Sequence, residues 1–483
     1  MNDQLTIFDL MYPKYKITKP IRLVELFSGY GSQALALKYL GVKFEHWRTC
    51  EWAIKSIQAY KDIHFSNDYI DYSDGIDKKE LIRRLNYFGI SSNYNEPMEL
   101  KQIEKLSENQ LRTIFSNIVC TNNLVNIQNV KGEDLGIKDT DKYDYIMTYS
   151  FPCQDLSLAG KGKGMSDTST RSGMLWEVER ILSECYELGN LPQILLMENV
   201  PQVHSEDNKQ DFFKWQLRLE ELGYKNYVQD LIATDYGIPQ TRNRCFMVSI
   251  LGDYSYTFPK PIPLKLKLKN MLEENVDEKY YLSDKLINCF MSEVKMGNIT
   301  RKDRFLQNIN RNNQDIANSI TTLNGQRVTD TFIPQVVGGF GKKGSTNQYH
   351  LQNRIYEGEA SISITTTFNP YYKVEKGGKQ LNETLQNVED INKTQMLDLY
   401  NRNIVPDGLC QTVDMGYHNS MRLLDNAKIR KLTPRECFRL MGVKDEDYEK
   451  CAKNQSDSSL YHLAGDSIVV NVLMAIFKEL LWN

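Results

Sequence analysis

Apolar and polar positions along the chain form short apolar runs separated by stretches with helical spacing. The run Ile21 to Phe27 predicts a buried strand, and the stretch Ser32 to Leu40 has the spacing of a helix that stops at Gly41. The runs Tyr145 to Phe151 and Cys245 to Ile250 predict two further strands. The segment from Ile21 to Gly41 therefore predicts a strand, a tight turn and a helix in succession.

Two long regions carry weaker patterns. Within residues 62–129, Lys78 to Phe88 and Leu100 to Ile118 have helical apolar spacing with charged opposite faces, which predicts a helical insertion. Between residues 253 and 427, segments that begin at Ile316, Glu359 and Asp407 each place a small, β-prone cluster before a turn. We interpret these three segments as strands that end in loops.

Composition and charge limit what the chain can do. Its 483 residues suffice for two or three domains, and a net charge of −3 means that any nucleic-acid binding must come from a local patch. Residues 291–380 contain more Lys and Arg than Asp and Glu and supply such a patch. The nine cysteines form no CxxC pair, and no signal peptide or membrane span is recognisable. We therefore expect a cytoplasmic protein with free thiols and without a zinc cluster or bound metal.

The turn after the first strand has the spacing of a nucleotide-binding turn. Gly29, Gly31 and Ala34 follow the GxGxxA pattern, in which absent side chains let backbone N–H groups approach a ligand. Glu51 follows a second apolar stretch, where a carboxylate can accept both ribose hydroxyls, and Trp52 offers a stacking face for a purine. Such a unit binds NAD or S-adenosylmethionine.

A second pattern distinguishes between these two ligands. Cys153, in the sequence Pro152, Cys153, Gln154, follows the predicted strand Tyr145 to Phe151, and Glu198 follows later at the end of another. A cysteine is nucleophilic as its thiolate, so this pattern predicts a nucleophile with an acid partner. A dehydrogenase needs no nucleophile at this position.

With these residues the chain resembles the bacterial and phage cytosine-5 DNA methyltransferases. The resemblance covers FSGYGS at residues 27–32, Glu51 with Trp52, GEDLG around Asp134, FPCQDLSLAGKGKGM at 151–165 and MENV at 197–200. It continues with QTRNR at 240–244, RKLTPRECFRLMG at 430–442 and AGDSIVVNVL at 464–473. The resemblance implies an α/β fold with a Rossmann-like class I S-adenosylmethionine-dependent methyltransferase sheet and a second, smaller target recognition domain.

The resemblance also implies roles for individual residues. The catalytic residues would be Cys153, which attacks carbon 6 of a flipped-out cytosine, Glu198 at ring nitrogen 3, Arg244 at the ring oxygen and Arg242 near the nucleophile loop and a phosphate. The cofactor-binding residues would be Phe27, Ser28, Gly29, Tyr30, Gly31, Glu51, Trp52, Asp134, Pro152, Asp466 and Ser467. The DNA-binding residues would be Gln154, Ser157, Lys161, Arg171 and Gln240.

Two cofactor positions are less regular. Glu133 is an alternative to Asp134 for the contact with the adenine amino group. Asp466 stands where many family members have Asn, and an Asp side chain keeps the acceptor but lacks the amide donor.

The expected organisation is an N-terminal tail (1–19), a catalytic domain (20–252) with the helical insertion, a recognition domain (253–440) and a C-terminal return to the catalytic domain (441–483). We expect a monomer that acts on double-stranded DNA, converts S-adenosylmethionine to S-adenosylhomocysteine and is cytoplasmic, with a separately acting restriction endonuclease as a possible companion. The segment Gln4 to Phe8 resembles a sliding-clamp-binding peptide. A tRNA cytosine-5 methyltransferase and a catalytically inactive DNA-binding homologue are the alternatives.

Overall fold

The computed structural model describes residues 13–66, 70–151, 174–290, 292, 294–312, 316–339 and 428–482, and five short strands between residues 354 and 423. The chain forms two compact units, one of Met1–Lys267 with Cys437–Asn483 and the other of Leu268–Glu436. Several predicted site residues, together with the tail segment Gln4 to Phe8, lie outside the described residues: Pro152, Cys153, Gln154, Ser157, Lys161 and Arg171.

A six-stranded sheet forms the centre of the first unit and confirms the α/β class. Its strands are β1 (Ile21–Leu26), β2 (Phe44–Cys50), β3 (Asp144–Tyr149), β4 (Ile194–Asn199), β5 (Tyr224–Ile232) and β6 (Asn243–Leu251). They lie in the order β2-β1-β3-β4-β6-β5, in which β6 alone runs antiparallel to both of its neighbours. The carboxyl ends of β1, β2, β3 and β4 therefore meet at one edge, where α/β proteins place their ligands.

Helices cover the sheet because its strands carry apolar side chains on both faces, and these side chains must be shielded from water. Those that precede the second unit are α1 (Ser32–Tyr39), α2 (Ile54–His64), α3 (Lys78–Phe88), α4 (Leu100–Glu104), α5 (Glu108–Cys120), α6 (Leu175–Glu187) and α7 (Lys209–Glu221). Ile181 of α6 and Trp215 of α7 are buried in one core with Val24, Met147 and Leu195 of the strands. Burial of such side chains is the main source of stability for this layer.

The helices α3, α4 and α5 have a small apolar core of their own. Leu81, Leu85 and Phe115 are buried there, and Trp52 packs against it. The prediction of α3 is confirmed, whereas the continuous pattern from Leu100 to Ile118 is divided into α4 and α5. The Ser107 hydroxyl accepts a hydrogen bond from Gln110 N, and Gln110 Oε1 accepts one from Ser107 N. This capping box starts a new helix inside the predicted one.

The described residues of the second unit include short strands and helices. They are α8 (Asp284–Phe290), β7 (Lys295–Met296), β8 (Ile299–Thr300), α9 (Arg301–Asn312), β9 (Phe332–Gly339), β10 (Arg354–Tyr356), β11 (Tyr371–Tyr372), β12 (Met396–Asp398), β13 (Asn403–Val405), β14 (Met421–Leu423) and β15 (Lys428–Lys431). Phe290, Phe305 and Phe332 form its aromatic core, with ring centroids 5.0 to 5.6 Å apart.

One of the three predicted loop-ending strands in this unit is wrong. Residues 316–321 form no strand, whereas the turn predicted after them is present at residues 322–325. The Asp330 carboxylate holds the chain at the end of this turn by accepting hydrogen bonds from the backbone N–H groups of Gly325, Gln326 and Arg327. The segments at Glu359 and Asp407 lie outside the described residues.

The chain ends with α10 (Pro434–Leu440), α11 (Asp445–Ala452), α12 (Asp457–Asp466) and α13 (Val470–Leu481). Helix α13 packs on α1, and α11 packs on α2. Within the described ranges, one helical stretch, Asp457–Leu481, is long and apolar enough to cross a membrane, but 67% of that window is buried inside the protein. The helices of a protein core share this property.

Candidate active site

The turn after β1 is built around two glycines with left-handed backbones. Gly29 has a φ of +54° and Gly31 a φ of +82°. A Cβ atom at Gly31 would lie 2.5 Å from His64 Nε2 and 2.6 Å from Tyr60 Cε2, so this position admits no side chain. At Gly29, no atom of the described residues lies within 4 Å of the Cβ position. Gly31 is thus packed against α2, while Gly29 faces open space.

Glu51 is fixed directly beside this turn. Its Oε2 accepts a hydrogen bond from Gly29 N over 3.0 Å, and its Oε1 accepts one from Ala53 N over 2.8 Å. Burial raises the pKa of Glu51 to about 7, although these backbone bonds lower it. The Asn123 side chain accepts from Glu51 N and donates to Glu51 O, each over 3.0 Å. Asn123 could not be predicted from the sequence, because nothing in its local pattern marks a contact with the end of β2.

The other predicted residues of this turn have different environments. Trp52 is half-buried against the core of α3–α5, and Ser28 is buried. Tyr30 is buried too, and its hydroxyl donates to Ser467 Oγ over 2.8 Å. Burial raises the pKa of Tyr30 to about 12. Tyr30 therefore offers a ligand its backbone, since its side chain points into the protein.

The structure corrects the prediction for Asp134 and for its alternative, Glu133. The Asp134 carboxylate accepts a hydrogen bond from Lys131 N, and the neighbouring carbonyl of Leu135 accepts one from Trp47 Nε1, in the middle of β2. A cavity lined by Glu133 and Asp134 is also lined by Leu188 and Asn190, which precede β4. Both acidic residues therefore lie beside the middle of β2 and the segment that precedes β4, whereas Glu51 follows the carboxyl end of β2.

Glu198, near the end of β4, forms a buried ion pair. Its Oε1 lies 3.1 Å from Arg244 Nε of β6, and only 9% of its side chain is exposed. Burial raises the pKa of Glu198, although the charges of Arg244 and Arg242 lower it, and the Asp466 carboxylate raises it further. The structure places Arg244 beside Glu198, where the resemblance puts it, and the charge of Arg242 also acts on this carboxylate. Burial thus makes the protonated form of Glu198 more favourable than that of an exposed carboxyl group.

Asn199 connects the ends of two neighbouring strands. Its Nδ2 donates to the carbonyl of Phe151 over 3.1 Å, and its Oδ1 accepts from Val200 N over 2.8 Å. Phe151 stands two positions before Cys153 in the sequence. The path of the chain into the predicted nucleophile segment is therefore held by the residue next to Glu198.

Arg242 and Gln240 have roles in packing that the sequence did not reveal. Arg242 is 4% exposed and donates through Nη2 to the carbonyls of Gly465 and Ser467, at 2.9 and 2.7 Å. Gln240 is fully buried and donates to the carbonyl of Leu440 over 2.7 Å. These contacts tie β6 and its approach to the C-terminal helices, and the roles predicted for Gln240 at the DNA and for Arg242 near the nucleophile segment stay predictions.

The C-terminal element approaches the same edge of the sheet. The Ser467 hydroxyl donates to the carbonyl of Ala464, and the Asp466 carboxylate is 57% exposed. The Asp466 charge raises the pKa of Glu51 as well as that of Glu198. These three carboxyl groups therefore surround one region, between the turn after β1 and the end of β4.

One group of side chains has the composition of a metal site. In the part of the chain that the structure describes, the ligand atoms of His204, Asp230 and Cys245 lie within 4.8 Å of one another. His204 Nε2 and Asp230 Oδ1 are 2.9 Å apart and satisfy each other. Burial raises the pKa of the Cys245 thiol, which disfavours the thiolate that a metal requires. We assign no metal here.

Several known proteins are similar to this chain. A type II methyltransferase of Lactococcus lactis subsp. cremoris, M2.ScrFI, is 29% identical over 95% of this chain and 99% of its own length. The orphan methyltransferase M.SssI of Spiroplasma monobiae is 35% identical over 58% of this chain and 71% of its length. A solved S. pombe Dnmt2 methyltransferase is 13% identical, with coverage of 96% of this chain and 98% of that chain and a TM-score of 0.49.

The family model described as "C-5 cytosine-specific DNA methylase" matches residues 102–482, which is most of the chain. That range contains Glu198, Arg242 and Arg244 together with the C-terminal element. The chain therefore belongs to the C-5 cytosine-specific DNA methylase family and is a DNA cytosine-5 methyltransferase that depends on S-adenosylmethionine.

Proposed function

We propose that this enzyme methylates cytosine within a specific duplex DNA sequence, with Cys153 as nucleophile and Glu198 as its acid partner. The contact of 3.1 Å between Arg244 Nε and the buried Glu198 carboxylate carries the proposal. It lies near the end of β4, next to the strand β3 that leads towards Cys153. A carboxyl group and a guanidinium side by side can bind the acceptor and donor atoms on one edge of a cytosine ring.

The turn after β1 fits S-adenosylmethionine, which supplies the methyl group. Open space at Gly29 lets backbone N–H groups approach a ligand, and the Glu51 carboxyl group adjoins that space. Glu51 accepts the ribose hydroxyls, and Trp52 stacks on the adenine. The remaining residues proposed for this pocket are Phe27, Ser28, Tyr30, Gly31, Pro152, Asp466 and Ser467.

The chemistry needs a nucleophile because carbon 5 of cytosine is unreactive towards a methyl sulfonium until carbon 6 is saturated. The Cys153 thiolate forms a bond to carbon 6 while Glu198, as a neutral acid, donates its proton to ring nitrogen 3. Carbon 5 then takes the methyl group as the carbon–sulfur bond of S-adenosylmethionine breaks and S-adenosylhomocysteine leaves. A water molecule accepts the proton from carbon 5, the electrons of that bond restore the double bond to carbon 6 and expel the Cys153 thiolate, and Glu198 regains its proton from nitrogen 3. The raised pKa of Glu198 supports this role.

Binding of the DNA follows from this chemistry. Cys153 reaches carbon 6 only if the cytosine leaves the helix, so the enzyme flips its target base. Arg244 binds the ring oxygen, and Arg242 supports it through the C-terminal carbonyls. Gln154, Ser157, Lys161 and Arg171 contact the DNA from the segment around Cys153, and Leu268–Glu436 is the target recognition domain.

Two alternatives are less well supported. A tRNA methyltransferase of this family would not need a second unit as large as Leu268–Glu436. An inactive DNA-binding homologue would not need Cys153, Glu198, Arg242 and Arg244 together. We further propose that the enzyme acts as a cytoplasmic monomer without a metal, separately from any restriction endonuclease.

The decisive experiment is covalent trapping on duplex DNA that contains 5-fluorocytosine, in the presence of S-adenosylmethionine. The release of the enzyme needs removal of a proton from carbon 5. Fluorine at this position cannot be removed as a cation, so the thiolate stays bound to carbon 6. We expect a denaturation-resistant adduct with the unaltered protein and with Cys289→Ala, which removes an exposed cysteine. We expect none with Cys153→Ala.

Parallel assays of methyl transfer to DNA and to tRNA separate the alternatives. Transfer to DNA alone supports the proposal, and transfer to tRNA alone replaces it with the RNA activity. An adduct that forms equally with Cys153→Ala would overturn the assignment of the nucleophile.

A further inference from the structure

The segment that joins α3 to α4 places one tyrosine in a constrained position. Tyr94 has a φ of +64°, a left-handed conformation that costs a tyrosine about 1 kcal/mol or more. The Asn93 carboxamide accepts hydrogen bonds from the backbone N–H groups of Asn95 and Glu96, and so fixes the turn. Residues with this backbone strain concentrate at functional sites, so Tyr94 requires an explanation.

The same segment is attached to the chain directly after Glu51. Ser91 N donates to the carbonyl of Trp52 over 2.7 Å, and Ile54 N donates to the carbonyl of Ser91 over 2.9 Å. These bonds form a parallel bridge between Ala53 and Ser91. The helical insertion is therefore tied to the residues that follow the proposed ribose ligand.

Tyr94 extends from this turn to the C-terminal element. Its ring stacks on the imidazole of His462, with centroids 3.8 Å apart and planes inclined by 13°. His462 Nδ1 in turn lies 3.1 Å from Asp466 Oδ2. Tyr94, His462 and Asp466 thus form a continuous chain of contacts from the insertion to a proposed cofactor residue.

The charges that act on Tyr94 come from residues of the proposed cofactor pocket. Burial raises the pKa of Tyr94 to about 12; the Ser459 hydroxyl lowers it, and the carboxylates of Glu51 and Asp466 raise it. The Tyr94 hydroxyl is buried, whereas Tyr87 of α3 is 71% exposed. The bridge at Ser91 and the stacking on His462 thus place Tyr94 between the segment that follows Glu51 and the helix that carries Asp466.

We propose that Tyr94 is a positioning residue for the methyl donor, which acts by holding His462 and, through it, the Asp466 carboxylate on the wall of the cofactor pocket. The helical insertion is then part of that pocket. The Asp466 side chain carries no amide donor, and its contact with His462 restricts the positions of its carboxylate. This inference rests on the proposed cofactor pocket at Glu51 and Asp466.

The test compares Tyr94→Ala and Tyr94→Phe with the control Tyr87→Ala. Calorimetry gives the Kd of S-adenosylmethionine, and initial rates on duplex DNA give kcat and the KM of each substrate. We expect Tyr94→Ala to raise the Kd and KM of S-adenosylmethionine by about 3- to 10-fold, the equivalent of one lost aromatic stacking contact. The kcat and the KM of DNA should stay within about 2-fold.

Tyr94→Phe should keep the affinity of the unaltered enzyme, because the phenyl ring still stacks on His462. The double variant Tyr94→Ala with His462→Ala should bind S-adenosylmethionine no more weakly than His462→Ala alone, since both changes break the same chain. His462→Ala also decides the question if Tyr94→Ala does not fold.

An unchanged Kd in folded Tyr94→Ala, or an equal loss in Tyr87→Ala, would overturn the inference while the unaltered enzyme still methylates DNA. If the unaltered enzyme neither binds S-adenosylmethionine nor methylates DNA, the proposed function itself fails.

Discussion

The side-chain amide of Asn199 donates a hydrogen bond to the carbonyl of Phe151, two positions before Cys153, while its oxygen accepts from Val200 N. One side chain therefore fastens the end of β3 to the end of β4. The distance between the proposed nucleophile and the proposed acid depends on this connection, since a small displacement of reacting groups lowers the rate of a catalysed reaction.

The substitution Asn199→Asp tests this connection, because it keeps the acceptor for Val200 N and removes the donor to Phe151. An unmade buried hydrogen bond costs about 1–3 kcal/mol, so the rate of adduct formation with 5-fluorocytosine DNA should fall by about 10-fold or more. The KM of S-adenosylmethionine should not change. Asn226→Asp is the control, because Asn226 of β5 also donates to a carbonyl, that of Gln216. Equal rates in both variants would contradict the prediction.

Substitution of Arg242 should mainly lower the stability of the fold, whereas substitution of Arg244 should mainly lower the rate of catalysis. Arg242→Ala removes two buried hydrogen bonds to the carbonyls of Gly465 and Ser467, so urea denaturation should show a loss of about 2–4 kcal/mol. Arg244→Ala removes a half-buried partner of Glu198 and should lower kcat much more than stability. The reverse pattern would mean that Arg244 holds the fold and Arg242 the substrate.

The raised pKa of Glu51 predicts how stability depends on pH. The folded protein binds this proton up to a pH of about 7, whereas the unfolded chain releases it near the ordinary glutamate pKa of 4.5. Between these values the folded state holds more protons, so the contribution of Glu51 is full below pH 4.5 and is lost as the pH rises through 7.

The substitution Glu51→Gln should therefore flatten the decline in unfolding free energy between pH 4.5 and 7, measured by urea denaturation of the protein without cofactor. The effect of one group with this shift is about 3 kcal/mol. Glu133→Gln, which changes a 66% exposed carboxylate, should leave the pH profile as it is. A profile unchanged by Glu51→Gln would show that Glu51 is ionised in the folded protein.

The position of Asp134 predicts that it does not read the adenine. Asp134→Asn should leave the Kd of S-adenosylmethionine within about 2-fold, because its carboxylate caps a turn beside the middle of β2. Trp52→Ala should raise the same Kd by about 10-fold, the cost of one lost stacking contact on a purine. Calorimetry on both variants checks the pair, and a strong effect of Asp134→Asn would restore the original assignment.

The parts of the site that could be predicted from the sequence depend on local chemistry. The left-handed glycines Gly29 and Gly31 define a tight turn wherever they occur between a strand and a helix, and the structure has that turn. The position of Glu51 directly after β2 could be predicted, because the apolar stretch before it ends there. Short-range rules suffice for such positions.

Other positions depend on the folded arrangement and could not be predicted. The order of the motifs along the sequence predicts Asp134 at the adenine. That order does not reveal beside which part of the sheet a connecting turn lies. Gln240 and Arg242 resemble DNA-binding side chains, yet the C-terminal helices bury both. The Tyr94 and His462 rings meet only because residues far apart in the sequence return to one edge of the sheet.

The packing of the C-terminal helix α13 on the N-terminal helix α1 has a consequence for synthesis of the protein. Helix α1 is completed within the first 39 residues, but its packing partner α13 comprises residues 470–481. During translation the apolar face of α1 therefore stays uncovered until the whole second unit has left the ribosome. Contacts between such distant segments form late and slow the folding of a domain. A ribosome that stalls after residue 436 would release a chain with this face exposed to chaperones, proteases and aggregation.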